Sequence, residues 1–341
     1  MPLITGALSV SFFAVAAASS GESLTGTCAT PEPLHRAAVA APFLTPNLFG
    51  GSAADCGFAT SNPSAIYDPN SLLTIPVVVH VIMDSTCTDG ALSEALVESQ
   101  IEILNEDFLA LAGSPGAPGV DGQIRFELAT VDPDGQATTG ITESCNTTWY
   151  NDGGDYFETL AWDPARYLNL YTNTANGARG YVPFLPAQGN AMIGSNEDRV
   201  VVNWLAFGRD GAFPPHDQGR TATHEVGHYL GLFHTYFAGC GDPSEPGCYS
   251  TGDLLCDTPP NAESHDLCPV GITSCGGVPV PIENYMELTD DLCMTGFTLE
   301  QARRMRCTLA HYRTDLAQSG SGIFADGFES GDVSAWTVSV P

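Results

Sequence analysis

Between positions 224 and 234 the chain reads His224-Glu225-Val226-Gly227-His228-Tyr229-Leu230-Gly231-Leu232-Phe233-His234. Residues four apart share one face of a helix, so His224 and His228 can aim their imidazoles at one ion. Glu225 lies one step round, within reach of a water on that ion without being a ligand. Gly231 lets the backbone leave the helix through a left-handed turn, which brings His234 back as a third nitrogen donor. Three protein nitrogens and one open position is the coordination of a catalytic zinc. Such an ion would lower the pKa of a bound water from about 16 toward about 7. Glu225 would then serve as general base and afterwards as general acid. The expected chemistry is peptide hydrolysis without an acyl-enzyme. Isolated histidines (His35, His80, His216, His265 and His311) carry no such spacing and read as ordinary surface or core residues.

These residues need a scaffold. A β-branched run, Thr74 to Ile82, reads as the first strand. Leu92 to Leu111 follows with apolar residues at helical spacing (Leu96, Ile101, Leu104, Phe108) and Ser93 as N-cap. Stretches Arg125–Ala129, Tyr167–Tyr171 and Arg199–Trp204 read as further strands, which suggests an α/β layered half preceding the histidine helix. From about 235 to 285 the chain is rich in Cys, Pro and Gly and lacks periodicity. A loop so long within a compact domain implies crosslinks, metals or function. A short helix over Thr298–Arg306 closes the domain.

The 341 residues carry a formal charge of −29, and all 11 basic residues are Arg. Apolar residues at 43% are enough to build a core, which excludes a wholly disordered chain. Eleven scattered arginines in an acidic background argue against nucleic acid as partner, and against an anionic membrane surface. The 11 cysteines include no C-x-x-C pair, and so many unpatterned cysteines point to an oxidising, extracellular setting. Because 11 is odd, at least one cysteine stays unpaired in a monomer. The apolar run Leu8 to Ala18, ending in small residues, reads as a signal peptide rather than a membrane span. The expected organisation is a signal peptide over 1–20, a loose pro-segment over 21–70, a catalytic domain over 71–317 and an acidic tail over 318–341.

The pattern H-E-x-x-H-x-x-G-x-x-H resembles the metzincin signature. The resemblance narrows to the pappalysin family, in its cytophagalysin-like branch. It rests on Gly252-Asp253-Leu254-Leu255-Cys256-Asp257-Thr258-Pro259, on Asn284-Tyr285-Met286, on Thr289-Asp290-Asp291-Leu292-Cys293-Met294, and on Phe297 to Met305. It runs from about Thr74 to Arg313. It implies an α/β (α+β), two-lobed metalloprotease: a twisted, mostly parallel sheet with the active-site helix in the upper lobe, over an irregular, disulfide-rich lower lobe. It also implies protein or peptide substrates, Met286 as an apolar Met-turn floor beneath zinc, and disulfides Cys240–Cys268 and Cys275–Cys293. Calcium would be held by Asp253, Asp257 and the Thr258 carbonyl, although these carboxylates could equally cap turns. Cys28 resembles a zymogen switch whose thiolate fills zinc's open position; the competing reading is a Cys28–Cys56 disulfide. Two positions depart from the family pattern. Leu288 stands where relatives carry a Tyr that assists the tetrahedral intermediate. Leu292 stands where an acid was expected to select basic residues, so it predicts an apolar substrate pocket. An extended substrate is expected along Arg199–Trp204, and maturation at Arg36, the one arginine before the catalytic domain, or elsewhere in the leader.

Overall fold

The computed structural model describes residues 27–32, 50–186 and 190–319. The expected signal peptide, Arg36 and most of the tail lie outside the described residues. The elements in chain order are β1 (Leu73–Met83), α1 (Glu94–Phe108), β2 (Ile124–Leu128), β3 (Ile141–Cys145), α2 (Thr147–Tyr150), α3 (Tyr156–Leu160), β4 (Leu168–Asn173), β5 (Gly180–Tyr181), β6 (Arg199–Asn203), α4 (Arg220–Tyr229), β7 (Thr273–Ser274), β8 (Val278–Pro279), α5 (Leu299–His311) and β9 (Gln318–Ser319).

β1 is a continuous β-branched run because both faces of a parallel strand are covered. β2 and then β3 pair with it in parallel register, at Leu73–Val77 and Val79–Met83. β4 pairs with it in parallel at Val77–Val81, and β6 lies parallel beyond β4. β5 closes that side as a short antiparallel edge. The sheet is therefore mostly parallel, as expected. Side chains alternate across it: Leu170, Val200 and Val202 face α1 and α4, whereas Tyr171 and Val201 face α2 and α3. Val97, Ile101, Leu104 and Phe108 of α1 fill the first layer, and the Ser93 hydroxyl caps that helix by accepting from the Leu96 N–H. β6 has neighbours on both sides, so β5 rather than β6 forms that edge of the sheet.

Between α4 and α5 the described pairing within the stretch is limited to the two-residue β7–β8 hairpin and a single Asn284–Gly296 bridge, and crosslinks hold it. Here the expected pairings are corrected. Cys240 is bonded to Cys275 and Cys268 to Cys293, in place of Cys240–Cys268 and Cys275–Cys293. The Leu267 carbonyl accepts from the Asp290 N–H at 3.2 Å, which sets Cys268 beside Cys293 and leaves Cys240 to the turn of the β7–β8 hairpin. Cys248 pairs with Cys256, Cys87 with Cys145, and Cys56 with Cys307. That last bond removes the alternative Cys28–Cys56 link, and Cys28 is a free thiol. It also shows that residues 50–68 are not loose: besides the disulfide, Tyr67 hydrogen-bonds His311 at 2.9 Å and Asp68 pairs with Arg303 at 2.7 Å, both on α5. Among the described residues no helix is long and apolar enough to cross a membrane.

Candidate active site

α4 carries the histidine motif and is buried along its whole length. Gly227 faces downward, where a Cβ would come within 2.5 Å of the Met286 sulfur, so the small residue lets the turn at Asn284–Met286 press against the helix. Gly231 has φ +93°, and a Cβ there would also meet the Thr308 hydroxyl at 2.5 Å. The chain leaves α4 at this glycine and returns His234 to the site, as the sequence predicts.

The three imidazoles meet edge to edge. His224 Nε2 lies 3.1 Å from His228 Nε2 and 3.2 Å from His234 Nε2, and the remaining pair is 3.1 Å apart. Their other nitrogens fix the tautomers. His224 Nδ1 donates to the Tyr285 carbonyl at 2.7 Å, His228 Nδ1 to the Leu232 carbonyl at 2.8 Å, and His234 Nδ1 to the Glu32 carboxylate at 3.0 Å. With every Nδ1 a donor, three Nε2 lone pairs converge on one point. Burial, reinforced by the neighbouring histidines, holds His224 and His228 well below the usual imidazole range, which disfavours protonation as the remedy. A cation resolves the repulsion. Tetrahedral zinc with bonds of about 2.0–2.1 Å has nitrogen–nitrogen edges of about 3.3–3.4 Å, so the donor set fits that ion closely.

Glu225 is fully buried beside the cluster. Its Oε2 accepts from the Thr30 hydroxyl at 2.8 Å and from the Cys28 thiol at 3.6 Å. Burial lifts its pKa to about 7 against the lowering effect of those two hydrogen bonds. The Cys28 sulfur and the three imidazoles place one ligand atom each within 4.8 Å of one another. The segment that carries Cys28 lies as an extended strand along the β5 edge. Ala29 N–H donates to the Gly180 carbonyl at 3.0 Å, and Val182 N–H to the Thr30 hydroxyl at 2.9 Å. Further along it, the Glu32 carboxylate also accepts from the His234 backbone N–H at 2.7 Å.

Met286 is buried beneath α4, where its turn is tied on both sides. Asn284 exchanges two 2.9 Å amide hydrogen bonds with Gln301 of α5. Glu287 accepts from Thr235 and Asn261, at 2.8 and 2.6 Å. In the irregular lobe Asp253, Asp257 and Thr258 line one cavity of 240 Å³. Asp253 is buried, accepts from the Thr258 hydroxyl at 2.7 Å and from the Leu255 N–H at 3.2 Å, and has its pKa raised to about 7 by burial. Asp257 accepts from the hydroxyl of Thr298, the N-cap of α5, and from the Glu300 N–H in its first turn, at 2.7 and 2.8 Å.

Leu292 is corrected. It is 78% exposed and takes no part in the cavity beside Glu225. That cavity is lined instead by Leu288, Met294, Thr221, Arg179 and Asp291. Asp291 is drawn inward by the Gln218 and Arg220 N–H groups at the start of α4, at 2.8 and 3.1 Å, which turns its neighbour Leu292 toward solvent. Sequence reasoning missed Asp291 and Arg179, which approach each other through His216 (2.9 Å to Arg179, 3.5 Å to Asp291). It also missed Thr30 and Glu32, whose only signal was their place just after Cys28.

A buried helix with two imidazoles at i and i+4, a third returned past a glycine, and a Met-turn beneath define a metzincin-type metalloprotease. Comparison with known proteins agrees. The profile of the pregnancy-associated plasma protein-A family matches residues 139–310. An extracellular metalloprotease of Pyricularia oryzae is 32% identical, aligned over 88% of this chain and 95% of its own length. Extracellular metalloprotease 1 of Coccidioides posadasii is 33% identical, over 75% and 83%. Among solved structures, mirolysin in complex with a small compound superposes with TM-score 0.61 at 34% identity, covering 73% of this chain and 96% of that one. A promirolysin mutant from Tannerella forsythia gives 0.61 at 33%, covering 73% and 85%. This chain belongs to the pappalysin family of metalloproteases.

Proposed function

We propose that this protein is a secreted zinc metalloendopeptidase, made latent by its own leader. The observation that carries the reading is the convergence of three Nε2 lone pairs from His224, His228 and His234 beside the buried carboxyl of Glu225. When bound there, zinc supplies a Lewis acid that polarises the scissile carbonyl and acidifies water. Glu225 takes the proton from the attacking water and later delivers it to the leaving amine. The Tyr285 and Leu232 carbonyls hold His224 and His228 in the one tautomer that leaves Nε2 free, and Glu32 does the same for His234 while the leader is in place. Met286 closes the floor against solvent.

The leader supports the latency reading. Cys28 stands at the imidazole cluster, Thr30 occupies the Glu225 oxygen, and Glu32 engages His234, so water and substrate are both excluded. Burial and the Glu225 carboxylate push the Cys28 thiol up, so a positive charge among the imidazoles is what would hold it as thiolate. Release of the leader, by cleavage in the 33–49 stretch with Arg36 as the candidate point, would free the β5 edge for an extended peptide substrate. Secretion is supported by the extracellular names of the relatives and by five disulfides. Calcium at Asp253, Asp257 and the Thr258 carbonyl is proposed as a structural ion: a buried carboxylate whose hydrogen-bond partners are neutral would gain from a hard cation.

The test is hydrolysis of casein by the leader-released protein, with and without a zinc chelator, beside Glu225→Ala. The expected result is activity abolished by chelation and restored by zinc, and a loss of at least about a hundredfold in the variant. A variant as active as the parent would refute the role given to Glu225.

A further inference from the structure

Three segments distant in sequence meet on one buried carboxylate. Asp107, near the end of α1, is fully buried. Its Oδ1 accepts from the Tyr285 hydroxyl at 2.6 Å and from Arg220 Nη2 at 3.1 Å. Its Oδ2 accepts from the Thr223 hydroxyl at 2.7 Å. Arg220 and Thr223 belong to α4, and Thr223 immediately precedes His224. Tyr285 belongs to the Met-turn, and its carbonyl is the acceptor that orients His224 Nδ1 at 2.7 Å. Asp107 therefore reaches the same imidazole by two routes, through the helix that carries it and through the carbonyl that aims it.

Stability is a weak explanation for such a group. A buried ion pair roughly breaks even against well-packed apolar residues of the same volume, because desolvation offsets the attraction. A saturated carboxylate does fix an angle, since all three donors must arrive in set directions. We propose that Asp107 is a positioning residue for the zinc site, clamping α4 to the Met-turn so that the Tyr285 carbonyl holds His224 in its ligating orientation. The proposal rests on the zinc reading given above. Partners that orient metal-bound histidines typically contribute about 10–100-fold to metal affinity or activity. The clamp acts one bond further out, so the lower end of that range applies.

The experiment compares full-length wild type with Tyr285→Phe, Asp107→Asn and the double variant. Zinc affinity is read by competition with a chromophoric chelator, thermal stability by melting with and without zinc, and kcat and KM on a peptide after leader release. Tyr285→Phe deletes one hydroxyl and keeps the carbonyl, so it is the gentlest break in the clamp. The expected result is zinc binding weaker by about tenfold and kcat lowered by a similar factor at unchanged KM. The double variant should be no worse than about the stronger single one, because both cut the same connection. Glu102→Gln, on the exposed face of α1, serves as reference and should match wild type. If Asp107→Asn does not fold, Thr223→Val takes its place beside Tyr285→Phe. A lower melting temperature with zinc affinity and kcat unchanged would overturn the proposal, as would effects that multiply in the double variant. Failure of wild type itself to bind zinc would instead refute the zinc reading, and the same titration reports it.

Discussion

The half of the molecule that precedes His234 and the half that follows it hold their shape by different means. In the first, β1, β4 and β6 lie in register between two helical layers, and nearly every strand residue is buried. Its one internal crosslink joins Cys87, in the turn after β1, to Cys145, the last residue of β3. In the second, the 240–293 stretch contributes two two-residue strands and three disulfides. His224, His228 and Glu225 come from the first half, whereas His234 stands at the junction and Met286 belongs to the second. A site assembled across that seam takes its precision from periodic packing on one side and from covalent ties on the other.

The comparison is broken most strongly at a crosslink. Replacing Cys240 and Cys275 by Ser opens a loop spanning 35 residues, worth about 4 kcal/mol of chain entropy in the simple closure model. Hydrogen exchange should show the 235–285 backbone losing protection while β1, β4 and β6 keep theirs. Equal loss in the sheet would mean that the two halves are one cooperative unit. A smaller effect sharpens the sheet side. His80 of β1 is buried between Thr142 and Asn169 and stacked on Tyr171, and burial lowers its pKa from 6.5 to about 4. Unfolded chain therefore binds one more proton than native chain between pH 6.5 and 4. The stability tied to neutral His80 is complete above pH 6.5 and is lost as pH falls toward 4, with a slope of at most about 1.4 kcal/mol per pH unit. Denaturant melts of wild type and His80→Gln should converge as pH falls through that window; parallel curves would contradict the assignment.

The same division explains what could be read from the chain alone. The β-branched run of β1, the α1 stripe and the histidine spacing are periodic, and periodicity reports directly which face is buried. Gly231 was legible because a left-handed turn demands that residue type, and Met286 because the family resemblance implies a Met-turn there. The disulfide partners were not, since they depend on a single backbone bond from Asp290 to Leu267 that no spacing encodes. Leu292 failed for a related reason: whether it or Asp291 faces the cavity is decided by two free N–H groups at the start of α4. The β5 edge is two residues long, too short for any pattern. Asp107 is one of several acids along α1, and only the fold brings Tyr285 and Thr223 to it.

In the proposed latent state three imidazoles hold zinc, and Cys28 fills the remaining position until the leader leaves. X-ray absorption at the zinc edge tests it on the full-length chain. The expected shell is three nitrogen neighbours at about 2.0 Å and one sulfur at about 2.3 Å, with the sulfur lost after leader release. A shell of nitrogen and oxygen alone in the latent chain would contradict the part given to Cys28, and a zinc environment without three imidazoles would contradict the site itself.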